Sequence, residues 1–561
     1  MRAGEAWLVP VPRRAAWSGR WVAEGAVSEE TEEGMGPEAY RLEIGAAGVR
    51  IAAGGPAGAF YARQTLEQLR RQSPAGMLPE GTVEDAPAFA ERGYWLDVSR
   101  GRVPRPDRLK RKVDALAHLK VNRLYLYVEH VFRFACDPDI AGAEDAYGAE
   151  EVRALDAYCR ERFVELVPVF SCFGHMGKIL SLPQYRELAE VEFPARDWES
   201  ASWLERLRGA TLDAEAPGAR ALLERLLEEY LPCFSSGRFH LCGDETHDLG
   251  RKRGVREPAA LAALYAGHVR WVADVAARHG KSVQLWGDVL RKLPAALDGL
   301  PDGAEVMDWA YFPSNVLDGG AFFAERGVPV VSCPSVRGFG ALFPAVEEAR
   351  EVILRQARAA ARCGARGVVN TDWGDYGHFA MPPCVWHGIA LGAQAAWNPG
   401  AAGLERGGAF DRAFSRMFAG DDAAAALWSR LGSLPPVLLS WPMAAAGGKP
   451  AGCVAPPPLP DAAACADAAA VAEDCADGFD ALPAGASPWL DAAERRQLAL
   501  SARFVAAAAR WGGGVRGAEW VRRLDALAEA YGELWTEESL PGGLEDVRER
   551  GFGPLRSRTE W

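Results

Sequence analysis

Residues 92–128 read RGYWLDVSRGRVPRPDRLKRKVDALAHLKVNRLYLYV. An apolar run of strand length, Tyr94–Ser99, gives way to a segment with helical spacing, Pro106–Leu119, and then to a second apolar run, Val121–Val128. Near-continuous apolar strands separated by helices are the pattern of a parallel sheet, whose strands are covered on both faces. The alternation continues through Val164–Phe170, Arg238–Cys242, Ser282–Trp286, Ala304–Trp309, Val328–Cys333 and Gly367–Thr371. Helical segments intervene at Glu150–Arg162, Ala219–Tyr230, Ala259–His279 and Val346–Cys363. Eight such strands over about 300 residues predict a closed (β/α)₈ TIM barrel. An open doubly wound sheet is the alternative, but no Gly-rich phosphate loop follows a first strand.

The flanks differ from this middle. Before it, Tyr40–Ile44 and Gly48–Ala53 read as short strands and Ala59–Arg71 as a helix, with Asp85-Ala86-Pro87 as a boundary. After residue 400 the chain is Ala-rich, with long helices expected at Leu490–Arg510 and Ala518–Trp535 and a proline-rich loop at Gly447–Pro460. The expected organisation is a small α/β domain over 1–85, an α/β barrel over 86–400 and an α-helical domain over 401–561.

Composition narrows the function classes. The chain has 561 residues and a net charge of −13. An acidic surface is poorly suited to a phosphate backbone, so no nucleic-acid partner is expected. No apolar run reaches a membrane span, and the first residues lack the apolar core of a signal peptide, so a cytoplasmic protein without a membrane partner is expected. The eleven cysteines form no Cys-x-x-Cys pair, and neither a disulfide framework nor a thiolate metal site is expected.

A barrel of this kind carries its chemistry at the C-terminal ends of the strands. Those ends read Asp97-Val98-Ser99-Arg100, Glu129-His130, Gly174-His175, Gly243-Asp244-Glu245-Thr246-His247, Trp286-Gly287-Asp288, Trp309-Ala310-Tyr311 and Asp372-Trp373-Gly374-Asp375. Carboxylates that bond hydroxyls and indoles that wall a pyranose recur on one rim. The sharpest site is His240-Leu241-Cys242-Gly243-Asp244-Glu245. Alone, an Asp-Glu pair is more often the start of the next helix. On the rim, neighbouring carboxylates raise one another's pKa, which suits a general acid. Alternation along a strand points adjacent residues to opposite faces, so Asp244, Glu245, His247 and Asp248 are not expected to hold a metal.

Arg92–Arg100 resembles the first barrel strand of glycoside hydrolase family 20, the β-N-acetylhexosaminidases. His240–Glu245 resembles that family's signature around its catalytic pair, and Gly58–Leu69 resembles the helix of the small domain before its barrel. Asp244–Gly250 is similar to bacterial, intracellular-type members with a helical C-terminal domain. The resemblance implies an exo-acting enzyme that removes a terminal N-acetylhexosamine from an oligosaccharide or glycoconjugate, without a cofactor, using the substrate's own acetamido group as nucleophile. It implies Glu245 as acid/base and Asp244 as the acceptor of the acetamido N–H. It further implies Arg92 and Asp375 on sugar hydroxyls, Glu129 and His175 as a supporting network, and Trp286, Trp309 and Trp373 as the pocket wall. Many members carry a Tyr-x-Asp after strand seven; Ser332–Arg337 has no tyrosine, and Tyr311 is the expected substitute. Two rival readings stand beside this one: a retaining glycosidase with an enzyme carboxylate as nucleophile, and a non-catalytic glycan-binding barrel. Oligomeric state is open, a homodimer included.

Overall fold

The computed structural model describes residues 6–142, 144, 146–192, 198–422, 424–440, 459–483, 487–553 and 556. Five strands form the first sheet: β1 (Arg14–Ala23), β2 (Val27–Thr31), β3 (Tyr40–Gly45), β4 (Gly48–Ala53) and β5 (Met77–Asp85), in the order β1-β5-β3-β4-β2. Alternation in β3 buries Tyr40, Leu42 and Ile44. The helix Pro56–Gln72 covers that face with Tyr61, Leu66 and Leu69. β1, β2 and β5 stand beyond the two strands expected for this region. β2 is exposed at every position, so it has no buried face to leave an apolar signature.

Eight parallel strands then close a barrel: β6 (Glu91–Asp97), β7 (Arg123–Val128), β8 (Glu165–Phe170), β9 (Arg238–His240), β10 (Ser282–Trp286), β11 (Glu305–Trp309), β12 (Val330–Cys333) and β13 (Gly367–Asp372). The expected barrel is the observed one. Its seam pairs Gly367 of β13 with Glu91 of β6. A side chain at Gly367 would place its Cβ 2.4 Å from the Glu91 carbonyl oxygen, so the seam closes only on glycine. The interior is packed rather than hollow. Trp95 fills its centre, 4.5 Å from the Trp286 ring and 5.3 Å from the Trp373 ring.

Beyond the barrel, the helices Ala462–Asp480, Ala492–Gly512 and Ala518–Glu538 dock on its side. The expected loop Gly447–Pro460 lies outside the described residues except for its last two positions. Arg108 pairs with Asp491 at 2.8 Å, Arg111 with Glu494 at 2.6 Å, and Arg102 donates to the Tyr531 hydroxyl at 2.8 Å. Residues 542–549 then cross the C-terminal rim of the barrel. Gly543 meets Gly101 so closely that a Cβ would sit 2.0 Å from the Gly101 carbonyl oxygen. Among the described residues, no helix is long and apolar enough to cross a membrane.

The first sheet is fastened to the barrel through buried charge. Asp85 accepts hydrogen bonds from the Tyr40 hydroxyl (2.8 Å), the Trp397 indole (2.8 Å) and Lys120 Nζ (3.0 Å). The Lys120 and Asp85 side chains are 1% and 0% exposed. Breaking such a pair from one side strands the other charge. Lys120→Met is therefore expected to cost about 3–5 kcal/mol, read as a fall in the urea midpoint. Adding Asp85→Asn to that variant is expected to recover part of the loss.

Candidate active site

The turn after β9 decides the geometry. Backbone pairing with β10 runs past the strand to Cys242, whose carbonyl accepts the Trp286 N–H at 3.0 Å. There the chain breaks from extended form: Cys242, Gly243 and Glu245 have φ of 64°, 80° and 48°. His240 is buried and neutral, its charged form suppressed by burial, and its Nδ1 accepts the Cys242 N–H at 3.1 Å. Left-handed backbone at a non-glycine residue costs about 1–3 kcal/mol and persists only where its surroundings impose it. Here they include Tyr265, which donates to the Gly243 carbonyl at 2.9 Å, and Asp288, which accepts the Glu245 N–H at 3.2 Å.

The consequence is that Asp244 and Glu245 reach the same partner. His175 Nε2 lies 3.3 Å from Asp244 Oδ2 and 3.4 Å from Glu245 Oε2. The expectation that adjacent carboxylates diverge fails because they leave the strand on this left-handed turn. His175 is itself left-handed, with φ of 53°. Burial opposes its charge, but the two carboxylates outweigh that and hold it well above the usual histidine range. Arg100 Nη2, 3.3 Å from Nδ1, pulls the other way. The carboxylates prevail, because two anions face Nε2 against one guanidinium at Nδ1.

Glu245 does not show the raised carboxyl expected of an isolated pair. Burial pushes it up, but His175 at 3.4 Å and His247 at 3.8 Å prevail and hold it below the usual range. Its side chain is 35% exposed and that of Asp244 11%, so Glu245 is the more accessible of the two.

Arg100 ties the rest of the rim together. Its guanidinium lies 3.3 Å from Asp97, 3.1 Å from Glu129 and 3.3 Å from Asp375, and packs over the rings of Tyr127 and Trp373. Burial lifts Asp375 to about 6 against the pull of Arg100, and likewise raises Glu129. Asp288 is pushed up by burial and by Asp244.

Arg92 is elsewhere. It lies at the start of β6, on the opposite end of the barrel, where it pairs with Glu38 at 2.6 Å and donates to the carbonyls of Phe89 and Lys120. Its assignment to sugar hydroxyls is corrected: Arg100 holds the rim position, eight residues on. Strand direction was the signal, since functional groups follow a barrel strand rather than precede it. Asp288 and His247 were also visible on the rim without a role, because their contacts to Glu245 depend on the turn.

Of the aromatic residues, Trp373 and Tyr311 meet at the rim, the indole N–H donating to the tyrosine hydroxyl at 2.7 Å. Trp309 is partly exposed and stacks on Tyr311 at 4.9 Å. Trp286 has no exposed surface. It underlies Trp373 as floor, packed on Trp95 and His240, and does not form a wall. The site thus combines two carboxylates on one histidine, a guanidinium caged by three acids, and an aromatic side.

Residues 10–86 match the sequence profile described as glycosyl hydrolase family 20, domain 2, and residues 89–338 that of the family's catalytic domain. A beta-hexosaminidase of Porphyromonas gingivalis is 26% identical over 339 residues, 54% of this chain and 40% of that protein. One from Akkermansia muciniphila is 27% identical over 290 residues, 46% of this chain and 57% of that protein. The chain thus spans about half the length of these relatives. In fold it is similar to the β-N-acetylhexosaminidase of Streptomyces coelicolor, with a TM-score of 0.58 at 19% identity, covering 77% of this chain and 97% of that one. With both domain profiles matched in order over more than half its length, the chain belongs to glycosyl hydrolase family 20.

Proposed function

We propose that the chain is an exo-β-N-acetylhexosaminidase, acting with retention through the substrate's acetamido group. The observation that carries this is the pair Asp244 and Glu245, held side by side on His175. A retaining enzyme with its own nucleophile needs two carboxyls about 5–5.5 Å apart on opposite sides of the scissile bond. Neighbours on a single imidazole suit a different division of labour. The more accessible Glu245 protonates the glycosidic oxygen as the C1–O bond breaks, and the acetamido oxygen closes on C1. Asp244 accepts the acetamido N–H and stabilises the positive oxazolinium ring. Water then adds at C1, giving its proton to Glu245, and the configuration is retained. In the open site Glu245 is held as an anion; a sugar covering it removes water, which favours the protonated form the first step needs. A binding module has no use for a strained turn that aims a proton donor.

Trp373, Trp309 and Tyr311 wall the acetamido side. The Tyr311 hydroxyl accepts from Trp373, which leaves its own hydrogen to donate to the acetamido oxygen in place of the strand-seven tyrosine. Arg100 and Asp375 bond hydroxyls on the far side of the ring, with Glu129 holding Arg100. A cytoplasmic location is part of this reading, with small imported glycans as substrates; recovery of the protein from the periplasm on fractionation would overturn that part.

The deciding assay compares p-nitrophenyl N-acetyl-β-glucosaminide and -galactosaminide with the unacetylated hexosides. Turnover is expected only with the acetamido substrates, and Glu245→Gln is expected to lower kcat by about 10²–10⁴-fold. Efficient cleavage of plain hexosides would discard the substrate-assisted route. Arg100→Met is expected to lower kcat/KM by about 10–100-fold, the scale of lost charge-assisted hydrogen bonds, while Arg92→Met lowers the unfolding midpoint and leaves the KM of folded protein unchanged. The acid side carries a pH signature. Asp375, held at about 6, loses its charge as pH falls through that value, and kcat/KM is expected to fall with it. Asp375→Asn should abolish that limb; a limb that stays in place would assign it to Asp288.

A further inference from the structure

The turn that brings Asp244 and Glu245 together also folds the next residues back on them. The His247 N–H donates to the Glu245 carbonyl at 2.6 Å. Its imidazole Nε2 then lies 3.8 Å from Glu245 Oε2, the same oxygen that faces His175 Nε2 at 3.4 Å. Two imidazoles thus meet one carboxylate oxygen, and they differ in their access to water. The His175 side chain is 2% exposed and that of His247 43%.

The proposed reaction asks for a proton that the open site does not keep on Glu245. The carboxyl is held as an anion there, yet it must carry a proton when the glycosidic bond breaks. His175 is poorly placed to give one. Its Nε2 also serves Asp244 at 3.3 Å, so a proton passed to Glu245 would leave Asp244 as a buried anion without its partner. The guanidinium facing its Nδ1 keeps its own protons and cannot refill the ring. His247 has neither constraint. The other carboxylates nearby have cations of their own: Asp248 meets Arg251 at 2.9 Å and Arg208 at 3.4 Å, and Asp288 faces Lys292 at 3.5 Å.

We propose that His247 supplies the proton of the acid step, carrying it from water to Glu245 Oε2. This inference rests on the hexosaminidase reading above. As a sugar covers the carboxylate, the Nε2–H bond of the imidazolium breaks and an Oε2–H bond forms, leaving a neutral ring and a neutral carboxyl. Loss of water favours that change, because it removes two charges at once. A shift of about 1 Å brings the pair to hydrogen-bond length, and catalytic contacts tighten in this way when substrate binds. Rotation about the terminal bond of Glu245, a broad two-fold torsion, presents the O–H to the glycosidic oxygen. The exposed ring then takes a proton from water, the shuttle chemistry to which imidazole is suited. The proton that Glu245 later receives from the attacking water returns to solvent by the same route, so the balance is that of hydrolysis. His247 acts through Glu245 rather than on the substrate.

The test compares two β-N-acetylglucosaminides, one of phenol and one of 2,4-dinitrophenol. The phenolate must be protonated to leave, and the dinitrophenolate leaves as an anion. His247→Gln is expected to lower the phenyl-to-dinitrophenyl ratio of kcat/KM about 10–10²-fold, a part of what a general acid contributes. His247→Ala is expected to do the same, and added imidazole to restore much of its phenyl activity. Glu245→Gln, run beside them, is expected to collapse the ratio further. An unchanged ratio in the His247 variants, or a fall that imidazole does not reverse, would overturn the role of His247 while the collapse in Glu245→Gln left the hexosaminidase reading standing. Inertness of the wild type on both glycosides, or an unchanged ratio in Glu245→Gln, would overturn that reading and the role of His247 with it.

Discussion

Everything on the rim is organised around one buried cation. The Arg100 guanidinium receives Asp97 from the end of β6, Glu129 from beyond β7 and Asp375 from beyond β13. These carboxylates come from three places in the chain. Without the cation they would repel one another in a poorly hydrated site, and burial already lifts two of them. Without them, the guanidinium would carry its desolvation cost alone. The same group packs on Trp373, whose indole fixes Tyr311, and faces His175, which holds Asp244 and Glu245. Arg100 therefore links Asp375, the Trp373–Tyr311 pair and His175 with its two carboxylates into a single unit. Changing any one member alters the electrostatics of the other two.

The barrel was legible because parallel strands covered on both faces must be apolar throughout. β7, β8, β10 and β11 start within two residues of the expected positions and end at them. β1 and β2 left no such trace, being largely exposed. The rim was legible as a set of residue types but not as a geometry. Arg92 and Arg100 lie in one motif, and only the direction of β6 separates the residue that bolts the barrel to the first sheet from the one that faces the site. Trp286 and Trp373 both follow strands, yet one lies beneath the other, which depends on how Trp95 fills the barrel. Adjacent Asp244 and Glu245 converge on His175 because three of four consecutive residues turn left-handed. That conformation is imposed by Tyr265 and Asp288 from elsewhere in the chain.

The helical domain shows no catalytic constellation in sequence. Its contribution is positional: ion pairs and the Arg102–Tyr531 bond lock it to the barrel, and the contact between Gly543 and Gly101 sets the segment 542–549 over one side of the rim.

That contact joins residues more than 440 positions apart. At a synthesis rate of about 5–20 residues per second, Gly543 leaves the ribosome roughly 20–90 s after Gly101. The growing chain thus completes all eight barrel strands, and with them the left-handed turn after β9, well before residues 542–549 reach the rim. Until then the rim beside Gly101 lacks the cover of residues 542–549.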